Sequence, residues 1–183
     1  RIGHEFLRPG PGWGGSCFPK DTRAIITIAE EAGYDFSLLR GVVEVNDDQF
    51  DRVARKVESV VALEGATIAM LGLAFKAGTD DIRESPALEV ARRLIERGAT
   101  VKGFDPAVSS LDIDGIEVVD DAYAACQGAS ALVVATEWDD FKWLDLDKVA
   151  EAMAELHVVD ARNLLDRGAL RRRGFTYQGV GRS

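Results

Sequence analysis

The sequence contains little of what builds disulfide frameworks and metal centres, because its 183 residues include only two cysteines and two histidines. The cysteines, Cys17 and Cys126, stand in unlike surroundings and predict no disulfide pairing, which fits a reducing, cytoplasmic compartment. No His, Cys and acidic residues show the spacing of a metal site, so we expect no bound metal. No apolar run approaches the roughly 20 residues that cross a bilayer, and no signal-peptide pattern opens the chain, so we expect no membrane partner.

The chain also has no basic face, because 22 Lys and Arg residues against 31 Asp and Glu residues give a net charge of −9. This charge has the wrong sign for nucleic-acid backbones and argues against a nucleic-acid partner. The single basic cluster, residues 171–173, is interpreted as a solvated helix end. The first residue is Arg1 and not Met, so we expect the chain to begin inside a longer polypeptide or to have been processed.

The first third of the chain predicts a loop followed by two helices. Residues 1–19 are rich in proline and glycine, and a helix is expected from Asp21 until Gly33 ends it. A second helix follows Ser37, with an apolar stripe spaced by threes and fours. Unbroken to Leu63, it would be about 40 Å long at 1.5 Å per residue. Such a helix cannot bury its stripe against one short helix, so it predicts packing on another domain or a second subunit, and hence a homodimer.

Beyond Glu64 and Gly65 the pattern changes to short apolar runs that alternate with helical stretches. The predicted strands are residues 66–73, 99–104, 116–119, 129–135, 156–160 and 175–180. The predicted helices are residues 85–97, 121–126, 146–154 and 165–173. This alternation is typical of a parallel sheet covered on both faces. We therefore predict an α/β fold in two parts: a helical dimerisation segment over residues 1–63, and a Rossmann-like doubly wound sheet over residues 64–183.

The turn after the first predicted strand does not carry the dinucleotide fingerprint. It reads G-L-A-F-K-A-G-T-D-D instead of G-x-G-x-x-G, although Asp105 stands about where a ribose-binding acid would. A doubly wound sheet binds ligands at the carboxyl ends of its strands. The residues expected to gather there are Phe75, Lys76, Arg83, Asp105 and Arg162. Their cations suggest an anionic small molecule, and the alternative is that they pair with the neighbouring acids of residues 80–84.

The segment G-W-G-G-S-C-F-P-K-D, residues 12–21, is the sharper candidate for chemistry. Cys17 falls just ahead of a predicted helix N-terminus, with Lys20 three residues later. A helix dipole and a nearby cation both favour the thiolate, which is the form that attacks carbonyl groups. Asp21 is close enough to bind a water or a hydroxyl. The alternative is that Cys17 is an incidental cysteine in a glycine-rich turn. Cys126, beside Ala124 and Ala125, is interpreted as incidental, a small apolar residue of a helix.

Three segments resemble one family at this point. The stretch F-L-R-P-G-P-G-W-G-G-S-C-F-P-K-D-T-R-A is similar to the catalytic segment of the UDP-glucose/GDP-mannose dehydrogenase family. The stretch L-G-L-A-F-K-A-G-T-D-D-I-R-E-S-P-A-L resembles its second hallmark, and D-A-R-N-L-L-D with G-F-T-Y-Q-G-V-G-R resembles its C-terminal region. The resemblance covers essentially the whole chain, and within the family the first segment is most similar to the UDP-glucose 6-dehydrogenase branch.

The resemblance implies a mechanism and a cofactor, NAD. The family oxidises the C6 alcohol of a nucleotide sugar to a carboxylate in two NAD-dependent steps. Cys17 matches the nucleophile that forms a thiohemiacetal and then a thioester, and Asp21 matches the aspartate that works with water. Lys20 and Arg83 match positions that contact NAD. The positions that match substrate contacts are Arg1, Phe6, Leu7, Arg8, Pro9, Gly10, Gly14, Phe75, Lys76 and Arg162. Arg1 among them matches an arginine that reaches into the neighbouring subunit's site.

The sequence also departs from the family pattern. The N-terminal Rossmann domain and the lysine and asparagine that join Cys17 and Asp21 in catalysis are not in this chain. We therefore expect the parent to be a UDP-glucose 6-dehydrogenase and the chain alone to be inactive. Two alternatives stay open. One is a dehydrogenase of another nucleotide sugar, such as UDP-N-acetylmannosamine or GDP-mannose. The other is a nucleotide-sugar-binding dimerisation module without chemistry.

Overall fold

The structure, a computed structural model, describes Gly3 and residues 7–182, so Arg1 and Phe6 lie outside the described residues. Two helices precede an alternation of strands and helices. The strands are β1 Thr67–Leu71, β2 Thr100–Phe104, β3 Ile116–Val118, β4 Ala131–Val134, β5 His157–Asp160 and β6 Thr176–Gly179. The helices are α1 Phe18–Glu31, α2 Ser37–Glu58, α3 Pro86–Ile95, α4 Ala122–Cys126, α5 Leu146–Ala152 and α6 Arg167–Arg172, with a short 3-10 helix at Asp139–Trp143.

The six strands form one parallel sheet in the order β3-β2-β1-β4-β5-β6. One apolar layer packs α2 and α3 on the first face of the sheet, and a second packs α4, α5 and α6 on the other. The α/β, doubly wound fold predicted from the sequence is therefore confirmed. The strand order reverses between β1 and β4, and in such sheets this switch point opens a crevice at the carboxyl ends of the strands.

Aspartate caps set where the short helices of the sheet begin. Asp121, Asp145 and Asp166 each accept backbone N–H groups from the first turn of α4, α5 and α6. These bonds satisfy donors that a helix leaves unpaired at its N-terminus. The predicted elements are accordingly correct in type, and most are a few residues shorter than expected.

Helix α1 begins at Phe18, three residues before the predicted start at Asp21. Pro19 occupies its first turn, where a missing N–H is tolerated, so Pro19 belongs to the helix and not to the predicted loop. Gly33, with φ of +75°, follows the end of the helix. Cys17 is thereby placed at the N-cap position of α1.

Helix α2 is shorter than predicted and its two halves have different surroundings. It spans 22 residues, about 33 Å at 1.5 Å per residue, because the chain turns after Glu58 and does not continue to Leu63. Phe50, Val53 and Val57 in its second half are buried in the layer that also contains α3 and β1. The first half instead leaves Leu38, Val42 and Val45 at 76%, 41% and 59% exposure; this set is called the α2 apolar face.

Arg93 fixes α2 against the sheet domain through α3. Its guanidinium pairs with Asp47 at 2.6 Å and with Asp51 at 3.5 Å, and it lies 5.1 Å from the centroid of the Phe50 ring. Arg93 is mostly buried, so these contacts are shielded from solvent screening. None of the helices in the described part of the chain, α2 included, combines the length and apolarity needed to cross a membrane.

Candidate functional site

A cleft of about 750 Å³ opens at the carboxyl ends of the strands. It is bounded by the loops that follow β1, β4, β5 and β6 and by the N-terminal loop that precedes α1. Its lining residues are Arg8, Pro9, Phe75, Lys76, Glu137, Lys142, Arg162, Asn163, Leu164 and Arg182. The cleft therefore lies where the topology of a doubly wound sheet predicts a ligand.

The lining of the cleft is strongly basic in a protein whose net charge is −9. Five of the described lining side chains are Arg or Lys, and one, Glu137, is acidic. Lys142 pairs with Asp139 at 2.6 Å, and the Lys76 ammonium lies 5.2 Å from the centroid of the Phe75 ring. Concentrated positive charge beside an aromatic ring and an amide suits an anionic ligand such as a diphosphate.

The side chain of Arg162 lines the cleft and also contacts the N-terminal loop. Its side chain is only 15% exposed, and burial lowers the pKa of its guanidinium to about 10, so it remains charged at neutral pH. One terminal nitrogen pairs with Glu137, and the other lies 3.5 Å from the carbonyl oxygen of Pro9. Any side chain at Gly10 would overlap the guanidinium, so the glycine permits this close approach.

Asp105 stabilises the loops beneath the cleft, and it is not one of the residues that line the cleft. It is 4% exposed, and its carboxylate accepts hydrogen bonds from the backbone N–H groups of Leu73 and Ala74 at 2.8 and 3.0 Å. It also accepts from the N–H of Ala107 and from Nε1 of Trp138. The expectation that Asp105 stands at the rim, where a ribose-binding acid would lie, is therefore wrong. The carboxylate is occupied in joining the loops after β1, β2 and β4.

The loop after β5 is shaped by a second buried carboxylate and by a strained residue. Asp160 accepts N–H bonds from Arg162 and Leu165, and burial raises its pKa. Asn163 has a left-handed φ of +52°, and its side-chain amide both donates to and accepts from the backbone of Val180 at 3.0 Å. This amide joins the Arg162 loop to the segment that carries Arg182 into the cleft.

A second, larger groove of about 1240 Å³ lies between the N-terminal loop, α1 and α2. Arg8 and Arg162 line both cavities, so the two are neighbours with these arginines between them. Gly10 and Gly14 line the groove, and the α2 apolar face forms its far wall. Leu7, the remaining described position of the predicted substrate loop, is 68% exposed.

Cys17 lies at the exposed edge of this arrangement. Its sulfur is 3.7 Å from Oγ of Ser16, and the N–H of Asp21 donates to its carbonyl oxygen at 2.9 Å, so the two side chains are one helical turn apart. Asp21 raises the pKa of Lys20 by accepting a hydrogen bond at 2.7 Å, and the Cys17 sulfur adds a smaller attraction. The structure thus brings Cys17, Lys20 and Asp21 together on the first turn of α1.

The loop after β1 carries Arg83 to the same edge. Its guanidinium makes a two-pronged pair with Asp81 at 2.8 and 2.7 Å, which lowers the pKa of that carboxyl to about 2. Asp81 in turn raises the pKa of Arg83, and Cys17 makes a smaller contribution in the same direction. Ser16 makes a smaller contribution to the low pKa of Asp81, so the Cys17 loop lies close to this ion pair. The sequence predicts that Lys76, Arg83 and Arg162 either bind an anionic ligand or pair with neighbouring acids. Arg83 pairs with a neighbouring acid, whereas Lys76 and Arg162 line the cleft.

The sequence analysis does not predict five lining residues, Glu137, Lys142, Asn163, Leu164 and Arg182. A signal exists for all of them but Lys142, because the other four follow the last residue of β4, β5 or β6 by three or four residues. Glu137, Lys142 and Arg182 nevertheless look like ordinary surface charges in the sequence. Within the described residues, no group of three or more His, Cys, Asp or Glu could hold a metal ion.

Known proteins resemble this chain over its whole length. It is 39% identical to UDP-glucose 6-dehydrogenase TuaD of Bacillus subtilis, over 100% of this chain and 41% of that relative. A solved UDP-glucose dehydrogenase of Pyrobaculum islandicum is 35% identical with a TM-score of 0.80, over 100% of this chain and 41% of the other. The solved NDP-N-acetyl-D-galactosaminuronic acid dehydrogenase of Methanosarcina mazei is 26% identical with a TM-score of 0.84, over 96% and 39%.

The chain therefore spans about two fifths of the length of these relatives. Residues 1–48 match the central domain of the UDP-glucose/GDP-mannose dehydrogenase family. Residues 69–167, more than half of the chain, match the UDP binding domain of that family. The chain thus belongs to the UDP-glucose/GDP-mannose dehydrogenase family.

Proposed function

We propose that this chain supplies the nucleotide-sugar cleft and the nucleophile of an NAD-dependent UDP-glucose 6-dehydrogenase. The observation that carries the proposal is the basic cleft at the switch point of the sheet, which both Lys76, after β1, and Arg162, after β5, line. A diphosphate would receive a two-pronged bond from arginine and a point charge from lysine. The N-terminal loop over Arg162 leads from this cleft to Cys17, and its Gly15 rests on the Phe75 ring.

In the proposed reaction Cys17 captures the aldehyde that the first oxidation produces at C6. Its sulfur bonds to the aldehyde carbon, and the aldehyde oxygen takes a proton, giving a thiohemiacetal. After the second oxidation this carbon is a thioester. Water then adds and the carbon–sulfur bond breaks, which releases the carboxylate and returns the thiol. Asp21, one helical turn from Cys17, holds the attacking water.

The cofactor of this proposal is NAD, which accepts a hydride from C6 in each oxidation. Among the described residues, Lys20 and Arg83 fit its diphosphate, because both are exposed cations within electrostatic range of Cys17. Each is held in place by an acidic neighbour, Asp21 and Asp81 respectively. The sheet itself is the substrate side, because Asp105 is occupied by backbone donors and the turn after β1 lacks the dinucleotide fingerprint.

The proposal includes a division of the chain, an assembly and a location. Residues 1–63 act as part of the central dimerisation domain and residues 64–183 as the UDP-sugar-binding domain. The α2 apolar face, Leu38, Val42 and Val45, pairs with its copy in a homodimer, because apolar area of this kind gains free energy when it is covered. The two free thiols agree with a cytoplasmic location.

A second candidate keeps the chemistry and changes the sugar. The Methanosarcina mazei neighbour, whose name gives an N-acetylated sugar acid, has a TM-score of 0.84 against 0.80 for the UDP-glucose dehydrogenase neighbour. The identities run the other way, 26% against 35%, and favour glucose. UDP-N-acetylmannosamine and GDP-mannose therefore belong in the same binding experiment, as does a module that binds nucleotide sugars without chemistry.

The proposal is tested by calorimetric titration of the chain with UDP-glucose, UDP and NAD. We expect both UDP ligands to bind and NAD to show no measurable heat. Lys76→Ala should weaken UDP about tenfold, the loss of one charge-assisted contact. Lys148→Ala is the matched control, because Lys148 lies on α5 beside Tyr123 and does not line the cleft.

Two outcomes would overturn parts of the proposal. Binding of NAD without binding of UDP would make the sheet a cofactor domain. Equal losses in Lys76→Ala and Lys148→Ala would show that the cleft is not where UDP binds. Addition of the upstream part of the protein separates an enzyme from a binding module: NADH formation that needs Cys17 supports the dehydrogenase, and its absence supports the module.

A further inference from the structure

Glu137 has an unusual position, because it is the one acidic side chain among the described residues that line the basic cleft. It follows β4 by three residues and reaches across to the loop after β5, where its carboxylate pairs with a terminal nitrogen of Arg162. Glu137 is 30% exposed and Arg162 15% exposed. A carboxylate in such a cleft would repel a diphosphate, so the presence of Glu137 calls for a role that offsets this repulsion.

Arg162 needs support from outside its own loop. Its Nε is buried and has no hydrogen-bond partner among the described residues, and its contact with the Pro9 carbonyl oxygen is long at 3.5 Å. Its backbone is fixed, since Asp160 accepts the Arg162 N–H at 3.1 Å. The flexible part is the long side chain, which loses considerable rotamer freedom when it is held in one geometry. The Glu137 pair is the charged contact that defines the direction of its guanidinium.

We propose that Glu137 is a positioning residue for Arg162. It holds the guanidinium over Gly10, so that the remaining N–H groups stay directed into the cleft for a diphosphate. The inference rests on the proposed function in that the ligand is a nucleoside diphosphate. The Arg162 side chain then loses its rotamer freedom when the protein folds and not when the ligand binds. This is the advantage of a preorganised site.

The change in diphosphate affinity when Glu137 is removed, and its dependence on Arg162, distinguish this role from two others. If Glu137 competed with the phosphates for Arg162, its removal would tighten binding. If Glu137 bound the ribose or the base directly, its removal would weaken binding whether or not Arg162 is present. A positioning residue weakens binding when it is removed, and only through Arg162.

The experiment is a double-mutant cycle on the chain, with UDP titrations followed by amide chemical shifts so that millimolar Kd values remain measurable. Glu137→Gln should weaken UDP about fivefold to tenfold in the wild-type background and less than twofold in Arg162→Ala. Asp139→Asn is the matched control. It removes a carboxylate that pairs with another lining cation, Lys142, and it should leave UDP binding unchanged or tighter.

A second readout does not need the ligand. The side-chain Nε–H signal of Arg162 should be sharp and protected from exchange in wild type and lose that protection in Glu137→Gln. Unchanged or tighter UDP binding by Glu137→Gln, or an equal loss in the Arg162→Ala background, overturns the inference. If wild type binds no UDP, the proposed function fails. The Nε–H signal then still decides whether Glu137 holds Arg162, and an unchanged signal in Glu137→Gln overturns the positioning role as well.

Discussion

The ring of Phe75 lies directly against the backbone of Gly15. A Cβ added at Gly15 would come within 2.9 Å of Cε2 of that ring, and the φ of Gly15 is +89°. The Gly15 N–H also donates to the carbonyl oxygen of Glu84 at 3.2 Å. Glu84 itself has a left-handed φ of +48°, a conformation that non-glycine residues adopt only when their surroundings impose it. The loop that leads to Cys17 is thus seated on the loop that carries Lys76.

We therefore expect Gly15→Ala to lower the free energy of unfolding by about 2–4 kcal/mol. About 1–2 kcal/mol comes from the left-handed backbone, and the rest from displacing the ring. Gly33→Ala is the control, because Gly33 has φ of +75° but nothing within 4 Å of an added Cβ. Urea unfolding of both variants measures the difference. Equal losses would mean that the contact with Phe75 adds nothing. UDP affinity should also fall in Gly15→Ala, since Phe75 lines the cleft.

Asp105→Ala should destabilise the fold strongly. Removal of the carboxylate leaves the N–H groups of Leu73 and Ala74 and Nε1 of Trp138 without their partner. The two fully buried backbone donors alone imply a loss of about 2–6 kcal/mol, since each buried donor left unpaired costs on the order of 1–3 kcal/mol. Asp114→Ala, at an exposed position, should stay within about 0.5 kcal/mol of wild type in the same thermal or urea measurement. A stable Asp105→Ala that fails to bind ligand would instead return Asp105 to the binding site.

The two cysteines should differ sharply in reactivity. Cys17 is exposed, whereas Cys126 is fully buried and burial raises its pKa to about 12. A thiol-reactive chromophore should therefore label one thiol per native chain and two per unfolded chain. Labelling of native Cys17→Ala should drop to background. Rapid labelling of that variant would show that the layer of α4, α5 and α6 opens easily.

The buried thiol also predicts a pH dependence of stability. The folded pKa of Cys126, about 12, exceeds its ordinary value of 9.0, so the folded state favours the protonated thiol. Its contribution is fully present below pH 9 and is lost as the pH rises towards 12, at up to about 1.4 kcal/mol per pH unit. Cys126→Ala should show a shallower fall than wild type in unfolding measured from pH 8 upward. Parallel curves for the two proteins would contradict this assignment.

The α2 apolar face gives a prediction about assembly. Leu38→Asp places a charge where a second copy is proposed to pack, and burying an unpaired charge costs several kcal/mol. We expect a shift from dimer to monomer in light scattering coupled to size-exclusion chromatography. Trp143→Asp is the control, since Trp143 is also highly exposed, at 84%, but lies on the 3-10 helix and not on α2. A monomeric wild type, or a dimer unaffected by Leu38→Asp, would rule out this face as the interface.

The sequence by itself determined the class of fold and the segments that are candidates for chemistry. Alternating apolar strands and helices from Thr67 onward require a covered parallel sheet, whatever the details of packing. The glycine-rich segment before α1 and the lysine loop after β1 were also evident, because glycines and charged residues at strand ends are local signals. The ends of helices were less well determined. The proline and glycine pattern predicts a loop through Pro19, whereas Pro19 lies in α1, because the first turn of a helix accepts proline.

Only the tertiary structure decided which polar side chains line the cleft. Asp105 and Glu137 both follow a strand, and nothing local in the sequence separates them. The fold directs Asp105 onto backbone donors in the interior and Glu137 across the cleft to Arg162. It likewise divided α2 into a half that packs under the sheet and a half that stays uncovered. The reason is physical: hydrogen-bond partners and covering surfaces come from residues distant in sequence, and a local pattern does not contain them.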